Sequence, residues 1–209
     1  MYIPARFRID DPDKLHAFIR ENSFATVISR DGGGAPFASH LPLLLRDGED
    51  GGSVLLGHMA RANPQWKQFS ASEEILAVFH GPHGYISPSW YASEPVVPTW
   101  NYTAVHAYGI PRIVESGDRL AEIVDETVTE YESGFEQPWK ADLPEEFRQN
   151  MMKAIVGFEI PIARLEGKFK LGQNRYEVDV LGACAGLEAG GSDADAALAK
   201  LMKKVNGLD

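Results

Sequence analysis

Cysteine, long apolar runs and an export signal are scarce or missing in this sequence of 209 residues. With Cys184 as its one cysteine, the chain forms no intrachain disulfide, and we expect a reducing, cytoplasmic location. No apolar run approaches the ~20 residues that a membrane-spanning helix needs. The first residues contain no apolar core or cleavage-like site, so we expect no secretory signal. Cys184 lies among small residues in a helical-looking segment, where a buried structural thiol is expected rather than a nucleophile.

Positive charge is also scarce. The chain has 20 Lys and Arg residues against 30 Asp and Glu residues, a net charge of −10. Sequence-independent binding of nucleic acid depends on basic side chains that neutralise phosphates. The basic patches here are modest, Lys153 alone and the pair Lys203 and Lys204. We therefore expect no direct DNA binding by the monomer. Hydrophobic content of 44% and charged content of 24% are typical of a soluble globular protein.

Several catalytic and nucleotide-binding patterns are absent. The sequence has no G-x-G-x-x-G, Walker A, G-x-S-x-G or C-x-x-C. Nucleophilic schemes that use Ser-His or Cys-His therefore have no local support. The carboxylates fall mainly on predicted helices, where they form an ordinary solvent-facing surface.

Strand and turn signals predict a mainly β fold with peripheral helices. Strands at 24–29, 35–45 and 53–58, with turns at 31–34 and 47–52 between them, indicate an antiparallel sheet. Further strands are predicted at 75–80, 103–114 (broken near Pro111) and 155–171. Helices are predicted at 11–22, after Asn63-Pro64, at 117–133, at 144–154 and over about 175–206, the last broken by Gly190-Gly191. No linker or repeat divides the chain, so we expect one domain over residues 1–209. A small closed barrel and a two-sheet sandwich would use the same strands.

The segment from Tyr85 to Tyr102 is unusually rich in aromatic residues. It holds five of the chain's 21 Phe, Trp and Tyr residues, where about two are expected by proportion. Large flat side chains mixed with small polar ones suit the wall of a pocket for a planar ligand with polar edges. A packed loop covering one end of a barrel would have the same composition.

The segment Gly57 to Trp66, GHMARANPQW, is the second candidate site. A strand ends at His58, Arg61 follows, and Asn63-Pro64 begins a helix. The free amides of that helix and the Arg61 guanidinium would both face an anion, and arginine can bind a phosphate with two parallel hydrogen bonds. In the alternative interpretation Asn63 only caps the helix and Arg61 is solvated.

Histidines and lysines near predicted strands are further candidates for a metal or anion site. His40, His80, His83 and His106 lie on or beside strands, but a metal site would need several of them to converge. The H-x-x-H pair of His80 and His83 spans Gly-Pro and is predicted on a turn, which fixes no ligand geometry. In GKFKLGQNR, residues 167–175, two lysines share one strand face, which would bind an anion, cap a helix or remain a solvated face.

Six segments in order along the chain resemble the PaiB-like group, called FMN-binding negative transcriptional regulators. They are MYIPARF, SHLP, GHMARANPQW, GPHGYISPSWY, VPTWNYTAVHAYG and GKFKLGQNR. The resemblance covers nearly the whole chain, and VPTWNY is its most specific part. The chain departs from the pattern at Gly172, where the group is expected to have Ser.

The resemblance implies a split β-barrel of the pyridoxamine-phosphate-oxidase-like type, usually a homodimer with FMN in a groove between subunits. Ser39, His40 and Leu41 would line the flavin strand. The ribityl chain and phosphate would contact His58, Met59, Ala60, Arg61 and Asn63. Residues closing over the ring or the partner subunit would be Ser87, Ser89, Trp90, Trp100, Asn101 and Tyr102.

The sequence is compatible with several functions. An FMN-binding regulator with so acidic a chain is expected to act indirectly or through a partner protein. A flavin-dependent oxidoreductase is the alternative, with His106 or His40 as a proton donor. Haem binding or degradation, with His83 or His106 as an iron ligand, is a third hypothesis. The pocket would otherwise be a remnant with no physiological ligand.

Overall fold

Antiparallel strand pairing organises the chain, described here from a computed structural model for residues 1–30, 34–48, 51–69 and 73–208. The strands are β1 (Arg8–Ile9), β2 (Phe24–Arg30), β3 (Pro36–Pro42), β4 (Leu44–Asp47), β5 (Ser53–Ala60), β6 (Ile75–Ile86), β7 (Thr99–Gly109), β8 (Arg112–Val114) and β9 (Ile155–Lys170). Over the described residues the sheet order is β3-β2-β6-β7-β9-β5-β4, and β1 and β8 also pair with β9. The pairs β2 with β3, β4 with β5 and β5 with β9 are all antiparallel.

The helices follow the capping signals in the sequence. They are α1 (Pro12–Glu21), α2 (Gly117–Glu132), α3 (Glu145–Lys153), α4 (Glu177–Gly190) and α5 (Asp193–Asn206), with 3₁₀ turns at Ala5–Phe7, Pro64–Gln68 and Pro88–Trp90. Ser116 and Ser192 cap α2 and α5 by accepting hydrogen bonds from backbone amides three residues on. The predicted helices at 11–22, 117–133, 144–154 and 175–206 are confirmed to within two residues at each end, and the break predicted at Gly190-Gly191 separates α4 from α5 at 191–192.

Residue contacts divide the described chain into two compact units. Unit 1 contains Met1–Phe18, Phe79–His106 and the chain from Glu166 onward, and unit 2 contains Ile19–Val78 and Ala107–Leu165. In unit 1, α4 packs against α5, and the buried Cys184 thiol lies 3.5 Å from the Ala199 carbonyl oxygen. In unit 2, α2 covers the β4–β5 hairpin, where Ile123 is buried with Leu44, Val54 and Leu56. Each unit thus has a core of its own, and the single-domain organisation stays a prediction.

Two strand predictions were wrong. The segment predicted as one strand over 35–45 divides at the buried Leu43, because β3 pairs with β2 whereas β4 pairs with β5. The predicted turn at HGPHG is part of β6. A Cβ atom at Gly81 would lie 2.5 Å from the Thr103 hydroxyl, so glycine there permits close packing and does not mark a turn. Residues 31–33 and 49–50 of the two predicted turns lie outside the described residues.

The long closing strands were predicted in place, but β7 begins at Thr99, four residues before the predicted start, so Trp100, Asn101 and Tyr102 lie on a strand and not in a loop. β7 and β8 are interrupted at Ile110 and Pro111, as the proline indicated. β9 continues through Pro161, which is paired with Val54 of β5. Within the described residues, no helix is both long and apolar enough to cross a membrane.

Candidate functional site

The end of β5 and the turn after it form a tightly bonded corner in unit 2. The Asn63 side-chain oxygen accepts a hydrogen bond from the Gln65 amide at 3.0 Å, and its amide nitrogen donates to the Ser39 hydroxyl at 2.8 Å. Asn63 therefore caps the 3₁₀ turn and also ties it to β3. Because this turn has only five residues, Pro64–Gln68, its helix dipole is weak. The helix dipole therefore contributes little to any phosphate binding at this corner.

The Arg61 guanidinium is held by two backbone carbonyl groups. Its Nε donates to the Lys153 carbonyl and its Nη2 to the Ile155 carbonyl, each at 2.8 Å. These carbonyls lie where α3 ends and β9 begins, a place where cationic side chains stabilise unpaired carbonyl groups. A guanidinium has five N–H groups and two of them are used here, so three remain for an anion. The side chain as a whole is exposed.

The predicted flavin residues lie on β3, where His40 is exposed and Ser39 and Leu41 are partly buried. His40 and Ser39 pair in register with Thr26 and Val27 of β2, and Leu41 with Ala25. The His40 Nδ1 lies 3.1 Å from the Thr26 hydroxyl, and its ring stacks near Phe24 with centroids 6.3 Å apart. The structure thus brings Ser39 to Asn63, whereas His40 faces β2.

A buried glutamine holds this strand against the corner. The Gln65 side-chain amide donates to the Val27 and Phe37 carbonyls and to the Ser29 hydroxyl. Its oxygen has no hydrogen-bond partner among the described protein atoms, although the residue is fully buried. Sequence reasoning missed Gln65, because its partners lie up to 38 residues away along the chain.

The three residues before the corner differ in accessibility. Met59 is 2% exposed and packs into the interior, whereas Ala60 is exposed. His58 is partly buried, and burial lowers the pKa of its imidazole below the usual value. Burial therefore favours the neutral form of His58. Their predicted contacts with the ribityl chain stay predictions.

In unit 1, the aromatic stretch divides into two environments. Trp90 lies in a notch on α4, since a Cβ atom at Gly186 would be 2.2 Å from its indole ring and one at Gly182 would be 2.1 Å from its carbonyl oxygen. Ser87 caps the 3₁₀ turn Pro88–Trp90, and the Ser87 hydroxyl lies 2.7 Å from that of Ser89. Trp90 thus has a packing role that its sequence position did not reveal.

Trp100 has the opposite environment and forms an exposed aromatic cluster with His83 and Tyr85. Its ring centroid lies 6.3 Å from that of each neighbour, tilted by 31° to His83 and edge-on to Tyr85. Trp100 is 55% exposed and Tyr85 is 47% exposed. Flat apolar surface of this size is unusual on a strand unless something covers it. We call these three residues the aromatic cluster.

Lys170 of unit 1 contacts this cluster, and two further cations, Lys168 and Arg175, lie near Lys170. The Lys170 ammonium donates to the Trp100 carbonyl at 2.7 Å and to the Thr99 hydroxyl. Burial lowers the pKa of Lys170, with smaller contributions from the nearby charges of Lys168 and Arg175. Lys168 is itself buried, with its ammonium 5.0 Å from the Tyr102 ring centroid. This concentration of positive charge suits an anion, and anion binding by the GKFKLGQNR segment stays a prediction.

Asn101 and Gly172 meet in the same unit. Asn101 is buried and donates to the Met202 sulfur at 3.4 Å. A Cβ atom at Gly172 would lie 3.9 Å from the Asn101 side-chain nitrogen. Gly172 has a φ of 90°, which favours glycine over the serine expected at this place. The departure from the family pattern therefore suits the backbone conformation here.

A buried carboxylate, also missed by sequence reasoning, fixes the segment after Trp90. Asp179 of α4 accepts hydrogen bonds from the Ala92 and Ser93 amides at 2.9 and 3.0 Å and from the Ser93 hydroxyl at 2.5 Å. The Ser93 hydroxyl is the largest cause of the lowered pKa of Asp179, and the two amides add to it. Nearby, the Arg175 guanidinium lies 4.5 Å above the Tyr91 ring. These contacts secure residues 91–93 on α4.

The remaining histidines do not assemble into a metal centre. Among the described residues, no three His, Cys, Asp or Glu side chains are placed to hold a metal ion. His83 is exposed, and its Nδ1 lies 3.2 Å from the Gly81 carbonyl. His106 is partly buried, and burial lowers its pKa.

Comparison with known proteins identifies the family. A family model described as “Putative FMN-binding domain” matches residues 1–164. The chain belongs to this family. A Bacillus subtilis protein named Protease synthase and sporulation protein PAI 2, which is PaiB, is 42% identical over 87% of this chain and 86% of its own length. An uncharacterized protein of Emericella nidulans is 34% identical over 80% of this chain and 81% of its own.

Solved structures agree on the fold. The FAD and haem binding protein from Mycobacterium smegmatis superposes with a TM-score of 0.58 at 15% identity, over 79% of this chain and 74% of that one. The predicted fold class, a mainly antiparallel split-barrel type with peripheral helices, is confirmed. The PaiB-like resemblance and the FMN cofactor predicted from the motifs are confirmed at the level of the family. The individual contact residues stay predictions.

Proposed function

We propose that this FMN-binding, PaiB-like protein is a cytoplasmic homodimer that holds the flavin between its subunits and influences transcription without tight DNA binding. The observation that carries the proposal is the aromatic cluster with its flanking cations. An exposed indole and phenol beside Lys170 suit a planar, phosphorylated ligand. A second subunit would complete a site that one chain leaves open. The lone Cys184 supports a reducing compartment.

The side chains present are of the chemical types that each part of FMN requires. Trp100 and Tyr85 offer ring surface for the isoalloxazine. Lys170 and the free N–H groups of Arg61 are the two cationic candidates for the phosphate, one in each unit. Neutral His58 would accept or donate a single hydrogen bond to the ribityl hydroxyls. FMN, when bound, would supply electron or hydride transfer.

Flavin titration of matched variants tests the site. We expect Trp100→Ala to weaken FMN binding by about 1 kcal/mol through lost stacking. Lys170→Ala should weaken it by about 1.5–3 kcal/mol through a lost charge-assisted contact. Trp139→Ala is the matched control, because Trp139 is 50% exposed, lies in unit 2 and is not among the predicted flavin residues. Equal affinity in all four proteins would remove the aromatic cluster and Lys170 from the site.

Sedimentation velocity with and without FMN tests the dimer. We expect a dimer in both conditions, and a monomer that binds FMN at full affinity would contradict the interface position. Cell fractionation followed by immunoblotting tests the cytoplasmic location.

An indirect effect on transcription follows from the charge. With a net charge of −10, the chain repels the DNA backbone, and phosphate contacts would have to come from a few small basic patches. We expect the isolated dimer to give no sequence-specific shift of promoter DNA at physiological salt. A specific, salt-sensitive shift would overturn this part of the proposal.

One observation favours the flavin-dependent oxidoreductase as a second candidate function. Burial lowers the pKa of His106 and favours its neutral imidazole, so His106 suits a proton acceptor better than the proton donor expected from the sequence. The test is oxidation of NADH or NADPH by the FMN-loaded protein. Enzymatic turnover that falls at least about tenfold in His106→Gln would support this function. Turnover no faster than that of free FMN would exclude nicotinamide-dependent activity.

A further inference from the structure

A surface on α2, α3 and the segment between them is apolar without being covered. Six of the sixteen large hydrophobic side chains that are exposed among the described residues lie between 131 and 151, a tenth of the chain. They are Tyr131, Phe135, Trp139, Leu143, Phe147 and Met151. Phe147 and Met151 are four residues apart, so they lie on the same face of α3. Concentrated exposure of this kind marks an interaction surface more often than scattered single residues do.

A groove of about 480 Å³ lies within this surface, and its walls are fixed by hydrogen bonds. Val128 and Thr129 of α2, Trp139 and Arg148 are among the residues that line it. The Trp139 amide donates to the Glu132 carboxylate at 2.6 Å. On the other wall, Arg148 donates to the Asp125 carboxylate at 2.7 Å. We call this groove and the exposed side chains of 131–151 the α2–α3 surface.

The α2–α3 surface is also strongly acidic. Residues 117–153 contain ten Asp and Glu residues and four Lys and Arg residues, a net charge of −6 out of −10 for the chain. Two of the four cations, Arg119 and Arg148, are already bound to carboxylates. A second groove of about 390 Å³ shares Asp125 and Thr129 with the first and is lined by Glu122, Glu126 and Glu130. The exposed apolar side chains of this surface are therefore surrounded by negative charge.

We propose that the α2–α3 surface docks a basic, amphipathic segment of a partner protein. Apolar side chains of that segment would enter the groove beside Trp139, and its Lys and Arg residues would meet the surrounding carboxylates. A second copy of this chain fits poorly, because a two-fold interface would place two surfaces of net charge −6 against each other. Nucleic acid is disfavoured by the same charge.

This surface is separate in sequence and composition from the predicted flavin residues. No residue that lines either groove belongs to that set. The inference therefore goes beyond flavin binding, and flavin affinity serves as an independent readout. A protein that binds FMN normally but fails in docking would overturn this inference alone.

Fluorescence anisotropy with a labelled synthetic helix of Leu and Lys tests the proposal. The matched probe is the same helix with Glu in place of Lys. We expect the FMN-loaded protein to bind the basic helix, with affinity falling as salt rises, and to ignore the acidic one. The double variant Trp139→Ser with Phe147→Ser should bind at least about tenfold more weakly, because central aromatic residues dominate docking affinity. Tyr176→Ser, at a residue 74% exposed in unit 1, is the matched control and should bind like the parent protein.

Three outcomes would overturn the proposal. One is no binding of the basic helix, and another is equal binding by the double variant. The third is a loss of self-association in the double variant, which would make a second copy the occupant of this surface. Should the double variant fold poorly, Glu145→Gln with Glu146→Gln tests the same surface through its charge, and both residues are exposed. Unchanged affinity in that variant would refute the electrostatic part.

Discussion

Replacing Arg61 by alanine should affect stability and flavin binding separately. The side chain makes two charge-assisted hydrogen bonds, both at 2.8 Å, to carbonyls at the junction of α3 and β9. Such bonds stabilise by ~1.5–3 kcal/mol each when buried, and Arg61 is exposed, so we expect a combined loss of about 1–2 kcal/mol. For a chain of this size that loss lowers the melting temperature by roughly 2–8 °C. Urea unfolding of the FMN-free protein measures the loss directly.

The same variant should weaken FMN affinity by about 1.5–3 kcal/mol if the remaining N–H groups of Arg61 contact the phosphate. Arg61→Lys separates the two roles, because lysine keeps the charge but cannot reach both carbonyls with a planar fork. We expect it to lose stability like the alanine variant while keeping more flavin affinity. Unchanged affinity in both variants would remove Arg61 from the site, and unchanged stability would show that the two carbonyl contacts contribute little.

Three further predictions concern unit 1. Asp179→Asn should lower the urea midpoint at pH 7, and the difference should shrink in acid. The folded pKa lies below the unfolded one, so the carboxylate's contribution is present above the unfolded pKa and is lost as pH falls through the folded pKa. Gly186→Ala should destabilise by about 1–3 kcal/mol because its Cβ would clash with Trp90, whereas Gly190→Ala, with 3.4 Å of clearance, should be neutral or stabilising in the same unfolding assay. Cys184 should react with a thiol reagent only after unfolding, since burial raises the pKa of its thiol, and fast reaction in the folded state would contradict this.

Local signals explain what the sequence could predict. The helices have capping residues within a few positions, such as Ser116 for α2 and Ser192 for α5, and the strands have alternating or continuous apolar patterns. Pairing partners depend on distant residues and are harder to predict. Leu43 separates two strands that join different neighbours, although the apolar run through it is continuous. The glycines of β6 resemble turn residues in sequence but are required by close packing against Thr103 and Leu198.

In the candidate site, too, contacts between neighbouring residues could be predicted from the sequence, whereas contacts between distant residues could not. The cap at Asn63 could be predicted because its partner is two residues away. The carbonyl partners of Arg61 lie more than 90 residues downstream, and the Asp179 clamp joins residues 86 positions apart. Trp90 and Trp100 look equivalent in an aromatic stretch, yet one fills a notch on α4 and the other is exposed. Composition identifies the chemistry of such a segment, whereas only packing decides which side chains remain available.

The most direct test of the central claim is an equilibrium titration of the purified protein with FMN, followed by flavin absorbance and fluorescence. We expect a perturbed flavin spectrum, a stoichiometry of one FMN per chain, and weaker binding in Trp100→Ala but not in Trp139→Ala. An unperturbed spectrum at FMN concentrations up to about 1 mM, where even an affinity of −4 kcal/mol would be seen, would contradict flavin binding by this chain.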